Sequence, residues 1–136
     1  GEQLLFSSAC ETPGLPEIYA YDIDAEEIQR LTNDAGSSLS PAYSPDGEQI
    51  AFISDRNGDS DLYVMQADGS SPLLLTVDDS GASDRDPAWS ADGRWIAFSS
   101  NRDSGIEQIY LTNPDGLDLR PVTDDERSSF SPSFIP

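Results

Sequence analysis

Carboxylates are the side chains of this sequence with the greatest capacity for chemistry. The chain has 26 Asp and Glu residues against seven Lys and Arg residues, all of them Arg, and it has no His. Without His it cannot supply a Ser-His-Asp or Cys-His catalytic group, a zinc site of the His-Glu-x-x-His type or a His-based pH switch. The formal charge of −19 argues against nucleic acid and anionic membranes as partners, because both repel an acidic surface.

The segment 55–61 is a weak candidate for a calcium site. Its oxygen-bearing side chains stand at alternate positions, and calcium prefers about six to eight hard oxygen ligands. These side chains are Asp55, Asn57, Asp59 and Asp61. However, a calcium loop of the EF-hand type carries its glycine at position six and a Glu at position twelve, whereas Gly58 stands at position four. We therefore expect a hairpin loop without metal or other cofactor, and calcium binding is the open alternative.

The sequence gives little indication of catalysis by carboxylates, cysteine or serine. Two carboxylates flanking a bond hydrolyse glycosides in many enzymes, but the pattern singles out no pair of acids with opposed environments. The single cysteine, Cys10, cannot form an intrachain disulfide, and we expect it to be a spectator in a loop. No Gly-x-Ser-x-Gly motif occurs. We predict a non-catalytic chain, with a carboxylate-based hydrolase as the remaining alternative.

The elements that must position these residues follow from an internal repeat. Residues 41–52 read PAYSPDGEQIAF and residues 87–98 read PAWSADGRWIAF, a shift of 46 positions. A Tyr followed 13 positions later by a Thr occurs at 19 and 32, at 63 and 76, and at 110 and 123. The first copy lacks its opening segment, which reappears at the other end as SPSFIP. The chain therefore holds three circularly permuted repeats.

Each repeat is predicted to form four short strands. Asp-Gly turns supply the positive-φ residue of tight hairpins, and the β-prone segments between them recur at a spacing of about ten residues. This pattern predicts an all-β propeller or sandwich. The expected units are strands two to four of a first blade in 1–32, a second blade in 38–76, a third blade in 84–123, and the first strand of a further blade in 129–136, centred on 133–135.

The segment 87–103, Pro-Ala-Trp-Ser-x-Asp-Gly-Arg-x-Ile-Ala-Phe-Ser-Ser-Asn-Arg-Asp, resembles the repeat of TolB-type six-bladed β-propellers. The same repeat occurs in the propellers of prolyl-oligopeptidase-like peptidases. The resemblance implies a role in protein–protein docking, a periplasmic or extracellular location, and blades whose first strand lines a central channel. It is weaker in the first repeat, which has Ala9 and Cys10 where the others have Asp-Arg or Asn-Arg. The sequence has no signal peptide and no run long enough to insert into a membrane.

Three blades are half of a six-bladed ring. A blade of about 46 residues cannot bury both of its faces alone, and propellers close with about four to eight blades. We therefore expect a β-propeller of three four-stranded blades per chain that a second chain closes as a C2 homodimer. The offset ends predict an inter-chain latch formed by Leu4, Leu5 and Phe6 of one copy and Pro132, Phe134 and Ile135 of the other. The alternative is a piece of the propeller of a larger peptidase or receptor.

Acidic loops are expected at one end of the ring. In a propeller, the loops from strand four to the next strand one and from strand two to strand three leave from the same end. These loops carry more than half of the carboxylates, which predicts a channel mouth that binds a cation or a basic protein or peptide; the alternative is a solvated surface. Arg56 and Arg102 are expected to pair with neighbouring loops and hold blades together. The mouth carboxylates are Asp34, Asp55, Asp59, Asp61, Asp78, Asp79, Asp84, Asp86, Asp103, Glu107, Asp124, Asp125 and Glu126.

Overall fold

Three antiparallel sheets make up the regular structure of the chain. The computed structural model describes residues 1–77 and 81–135, and in these residues it contains strands and turns. The first sheet contains β1 (Gln3–Ser8), β2 (Glu17–Asp22) and β3 (Glu27–Arg30). The second contains β4 (Ser38–Tyr43), β5 (Gln49–Ser54), β6 (Asp61–Gln66) and β7 (Leu73–Leu74). The third contains β8 (Asp84–Trp89), β9 (Ile96–Ser100), β10 (Gln108–Thr112) and β11 (Arg120–Pro121).

The strands of each sheet follow one another in chain order. This is the arrangement that short hairpin turns enforce, because antiparallel neighbours can be joined by a few residues. The prediction of an all-β chain with three sheets, one for each repeat, is confirmed. Within the described part of the chain there is no helix long and apolar enough to cross a membrane.

The hydrophobic core lies between the sheets, because successive side chains of a strand point to opposite faces. In β5, Ile50 and Phe52 pack against the first sheet, whereas Ala51 and Ile53 pack against the third. Strand β6 alternates in the same way. The middle sheet is therefore buried on both faces. A stacked Phe-Tyr pair recurs in every sheet, with ring centroids 5.6 Å apart for Phe6 and Tyr19, 5.5 Å for Phe52 and Tyr63, and 5.7 Å for Phe98 and Tyr110.

A glycine in the hairpin between strands three and four sets the distance between neighbouring sheets. A Cβ at Gly69 would overlap the carbonyl oxygen of Leu31 in the first sheet. Its counterpart Gly116 would place a Cβ 3.2 Å from the carbonyl oxygen of Leu75 in the second sheet. The hairpin turn of each following sheet thus packs on the last strand of the preceding one. The first sheet has Ala25 at this position, six residues after its Tyr.

The C-terminal segment forms no strand in the single chain. Residues 131–135, where the sequence predicts a first strand, have no strand assignment. A first strand requires a second strand as its partner, and no described residue provides one here, so the strand expected at 133–135 stays a prediction. In the second and third sheets the first strand begins at Ser38 and Asp84.

Candidate functional site

The loops that carry the predicted mouth lie side by side within each repeat. The backbone N–H of Ser37, which precedes β4, donates to Asp55 Oδ1, which follows β5, over 2.6 Å. The N–H of Ser83 donates to Asn101 Oδ1 over 2.8 Å at the same place in the next repeat. After the third sheet, the Gln108 side chain donates to the carbonyl oxygens of Asp125 and Arg127. The structure thus brings the two predicted groups of loops together.

Most carboxylates of the mouth have partners in their own chain. Asp84 is buried, and both of its carboxylate oxygens accept hydrogen bonds from Arg102 Nη2, at 2.8 and 3.0 Å. The other pairings join Asp34 to Arg56, Glu107 to Arg85, Asp103 to the Tyr110 hydroxyl, Asp86 to the Ser131 hydroxyl, and Asp125 to the Arg127 N–H. Asp59, Asp124 and Glu126 are exposed. Asp78 and Asp79 lie outside the described residues. A ligand at this end would compete with contacts that hold the loops.

The segment 55–61 does not gather its oxygens around one point. The Asp55 carboxylate binds the Ser37 backbone, and the Asn57 side chain donates to the Tyr63 hydroxyl over 2.8 Å. Asp61 is buried at the start of β6, whereas Asp59 is exposed. Across residues 1–77 and 81–135, no three carboxylate, thiol or imidazole groups lie close enough together to hold a metal ion.

Arg56 connects the first two sheets. Its Nη2 lies 2.8 Å from Asp34 Oδ2, which belongs to the loop leaving the first sheet. Its guanidinium carbon lies 4.8 Å from the ring centroid of Tyr63 and 5.2 Å from that of Phe52. Arg102 lies in the same way over Phe98 and Tyr110, and it pairs with Asp84 of its own sheet. The ion pair of Arg56 with Asp34 therefore spans two sheets.

A threonine side chain anchors the last strand of each sheet, and in the first and third sheets it pairs with a polar side chain that the sequence analysis missed. The hydroxyls of Thr32, Thr76 and Thr123 each accept the backbone N–H of the strand-three residue that precedes the repeated Tyr, over 2.9 Å in all three sheets. The Thr32 hydroxyl donates to Glu17, and the Thr123 hydroxyl donates to Gln108. The signal was present, because an acid or amide stands two residues before every repeated Tyr, at 17, 61 and 108.

The face of the first sheet that points away from the second sheet differs from the equivalent faces of the other two sheets. Leu4 is 55% exposed, whereas Ile50 and Ile96, at the same repeat position, are fully buried. Cys10 stands where the other repeats have Arg56 and Arg102. The neighbouring Cys10 thiol raises the pKa of the buried Tyr19 hydroxyl to about 12, and Tyr19 lowers the pKa of Cys10. The arginine that stacks on the Phe-Tyr pair is therefore absent from this face.

The third sheet presents an apolar face in the opposite direction. Leu31, Leu75 and Val122 make equivalent hydrogen bonds, with their N–H groups 2.8, 2.9 and 2.7 Å from the carbonyl oxygens of Ile18, Leu62 and Ile109. Leu31 is 8% and Leu75 4% exposed, because the next sheet covers them. Val122, which no described sheet covers, is 57% exposed. An aliphatic position that is covered at the internal joints thus has no neighbour in the described chain.

Comparison with known proteins gives one family for the chain. Residues 12–136 match the TolB beta propeller domain family. A TolB homolog of Chlorobium luteolum is 31% identical over 136 residues, which are the whole of this chain and 30% of that protein. A Tol-Pal system protein TolB of Desulfosudis oleivorans is 45% identical over 51 residues, 38% of this chain and 12% of that protein. The chain thus spans less than a third of the length of these curated relatives.

Solved structures give the same fold. The crystal structure of TolB from Acinetobacter baumannii matches with a TM-score of 0.75 and 28% identity, over 90% of this chain and 30% of that one. A puromycin-hydrolyzing peptidase of Mycobacterium tuberculosis matches with a TM-score of 0.74 over 97% of this chain and 22% of that one. Its identity is 18%, so this second likeness concerns the fold alone. The three sheets therefore correspond to part of a larger propeller in each of these proteins.

Proposed function

Because the chain belongs to the TolB β-propeller domain family, we propose that it is a non-catalytic module that acts through protein–protein contacts, and that a second copy completes its ring of blades. One observation carries the proposal: repeat positions that are buried inside the chain are exposed at its two outer faces. Leu4 and Val122 are 55% and 57% exposed, and their four counterparts are at most 8% exposed.

The energetics favour covering both faces. Apolar surface buried from water contributes roughly 25 cal/mol per Å², and each internal joint buries aliphatic and aromatic side chains on both of its sides. In a two-membered ring, the third sheet of each copy meets the first sheet of the other. The twofold axis makes the two seams identical, so one complementary pair of faces is enough to close the ring.

The acidic loops give the module its proposed partner. We assign to them a basic protein or peptide, since a surface of one sign accelerates encounter with the opposite sign. Several carboxylates of the loops already bind their own chain, so the exposed Asp59, Asp124 and Glu126 are the contacts open to such a partner. By likeness to the TolB proteins we place the module in the periplasm.

The molar mass in solution tests the dimer. We expect light scattering to give twice the 14.7 kDa of the chain. Val122→Asp puts a charge on the uncovered face of the third sheet and should give the single-chain mass. Leu117→Asp makes the same chemical change at a hairpin residue that is 86% exposed, beside Gly116 on the side of the second sheet, and should leave the dimer intact. A folded wild-type chain of single mass at all concentrations would contradict the proposal.

A second candidate function follows from the length of the relatives. The chain spans 30% of the Chlorobium relative, so the two open faces could instead be covered by further blades of one longer chain. The module would then be part of the propeller of a larger protein, such as a peptidase or a receptor. In that case residues 1–136 should be monomeric, and adding flanking blades should raise the melting temperature without forming a dimer.

A further inference from the structure

We propose that residues 129–135 of one copy add to the edge of β1 in the second copy, as the first strand of its first sheet, and in a defined register. This inference rests on the proposed dimer and specifies how its seams are joined. The C-terminal segment already has the backbone conformation of a first strand. Four observations carry it.

The segment leaves the third sheet by the same hydrogen bond that starts each first strand. The N–H of Ser38, at the start of β4, donates to the carbonyl oxygen of Pro16 over 2.7 Å. The N–H of Asp84, at the start of β8, donates to the carbonyl oxygen of Ser60 over 2.7 Å. The N–H of Ser129 donates to the carbonyl oxygen of Glu107 over 2.7 Å. Residue 129 therefore occupies the starting position of a first strand.

The segment also has the backbone bend of a first strand. Ser40 and Asp86 have φ angles of 52° and 55°, and each precedes a proline at the bulge in the pairing of its sheet. Ser131 has a φ of 55° and precedes Pro132. Positive φ is uncommon for residues other than glycine, so its recurrence at one repeat position indicates a common structure. The bend at Ser131 is held by hydrogen bonds of 3.1 Å to Ser99 Oγ and Asp86 Oδ2.

The acceptor edge is present in the first sheet. In the described residues β1 lies at the edge of its sheet, whereas β5 and β9, its counterparts, lie inside theirs. An edge strand presents unpaired backbone donors and acceptors and readily takes up another strand. The segment brings apolar side chains to this pairing, since Phe134 is 37% and Ile135 91% exposed.

The C-terminal segment and the edge of β1 lie at opposite ends of the chain, and for this reason we assign the edge to the segment of a second copy. The segment continues from the third sheet, and β1 belongs to the first sheet, with the second sheet packed between them. In the proposed ring the third sheet of one copy adjoins the first sheet of the other, so segment and edge become neighbours. Cys10 leaves that seam without the stacked arginine of the internal joints, and strand pairing supplies hydrogen bonds in its place.

The register follows from the two complete sheets. Ala42 pairs with Ala51, and Ala88 pairs with Ala97. The equivalent pair joins Ser133 of one copy to Leu5 of the other. The next pair joins Phe134 to Leu4, because Tyr43 pairs with Ile50 and Trp89 with Ile96. Paired residues of an antiparallel ladder have Cα atoms about 4.5–5.5 Å apart, a distance that a disulfide can span.

Disulfide trapping between copies tests the register. In a Cys10→Ser background, Leu5→Cys and Ser133→Cys are made in separate chains, which are mixed and oxidised mildly. We expect the mixture to give a covalent dimer. Each variant alone should give at least about tenfold less covalent dimer, since its two identical cysteines lie on different seams of the ring. Mixing Phe6→Cys with Ser133→Cys is the matched control, because residue 6 points to the opposite face of β1. Circular dichroism verifies that every variant is folded.

The outcomes separate this inference from the proposed dimer. A molar mass of twice the chain without cross-linking of the mixture would overturn the strand addition and leave the dimer standing. Equal cross-linking through Leu5→Cys and Phe6→Cys would overturn the register. A single-chain mass for the uncross-linked protein would overturn both proposals together.

Discussion

Arg56 joins the first two sheets through its charge and through the flat face of its guanidinium group. It pairs with Asp34 across the joint and lies over the rings of Phe52 and Tyr63. We expect Arg56→Met to lower the free energy of unfolding by about 1–2 kcal/mol, since a partly buried cation–π contact and an ion pair are both lost. Urea denaturation measures this change.

The control for Arg56 is a more exposed ion pair of the same chain. Arg85 pairs with Glu107 over 2.7 Å, and the side chain of Arg85 is 52% exposed. Arg85→Met should change stability by less than about 0.5 kcal/mol, because water screens the exposed charges. Equal losses from the two variants would mean that Arg56 contributes no special link between sheets.

Asp92 stabilises the turn between β8 and β9 only while its carboxylate is ionised. Hydrogen bonds from the Ser90 hydroxyl and from the Arg94 backbone hold the pKa of Asp92 below its usual value. Its contribution is therefore present above the unfolded pKa, about 3.9, and is lost as the pH falls through the lower folded value. We expect Asp92→Asn to melt below the wild type at pH 7, and the difference to shrink toward pH 2.

Asp124→Asn serves as the control for Asp92. Both substitutions remove one carboxylate from a strongly acidic chain, but Asp124 lies exposed in the loop after the third sheet. At pH 7 this change should leave the melting temperature unchanged or slightly higher, since it relieves repulsion. A difference between wild type and Asp92→Asn that persists unchanged at pH 2 would contradict the role given to the charge.

At the scale of the element, the hairpin between strands three and four fixes how closely two sheets approach. Gly69 has a φ of 87° and touches the backbone of Leu31 in the neighbouring sheet. Gly47 has a φ of 73° and no atom within 4 Å of an added Cβ. Gly47→Ala should cost about 1–2 kcal/mol from backbone strain alone. Gly69→Ala should cost about 1–3 kcal/mol more, because the sheets must also separate.

Chemical denaturation of the two glycine variants measures this difference. If Gly69→Ala and Gly47→Ala lose the same stability, the hairpin does not determine the spacing of the sheets. Ala25 already places a Cβ at this position of the first sheet. The sheet that covers this end must therefore approach less closely than the second sheet approaches the first.

Strand positions were readable from the sequence because they depend on local patterns. The recurring Asp-Gly turns predict the hairpins, and these are found. The strand at 133–135 stays a prediction, because a strand also needs a partner that a sequence pattern does not provide. The pairing of Thr32 with Glu17 was missed because it joins residues in different strands.

At the scale of the whole molecule, the sequence indicates the number of blades but not what closes the ring. Closure depends on the two outer faces, and the one on the first sheet departs from the repeat at Ala25 and Cys10. The mouth was likewise predicted only as a group of loops. Two of the mouth carboxylates are used in ion pairs, Asp84 with Arg102 and Glu107 with Arg85. These pairs depend on distances in space that the spacing along the chain does not reveal.

The net charge predicts an unusual dependence of the dimer on salt. Each copy carries a formal charge of −19, so two copies repel each other at low ionic strength. The Debye length falls from about 10 Å at 0.1 M salt to about 3 Å at 1 M. We expect the dissociation constant of the dimer, measured by sedimentation equilibrium, to fall several-fold over this range. A dissociation constant that rises with salt would indicate that ion pairs, and not apolar faces, hold the seams.

Small-angle X-ray scattering with absolute mass calibration tests the central claim most directly, because it gives mass and shape together. A closed ring of two copies should have twice the 14.7 kDa of the chain and a radius of gyration of about 18–19 Å, the value for a compact domain of that size. A particle of 14.7 kDa, or a dimer with a markedly larger radius from chains joined at one seam only, would contradict the account.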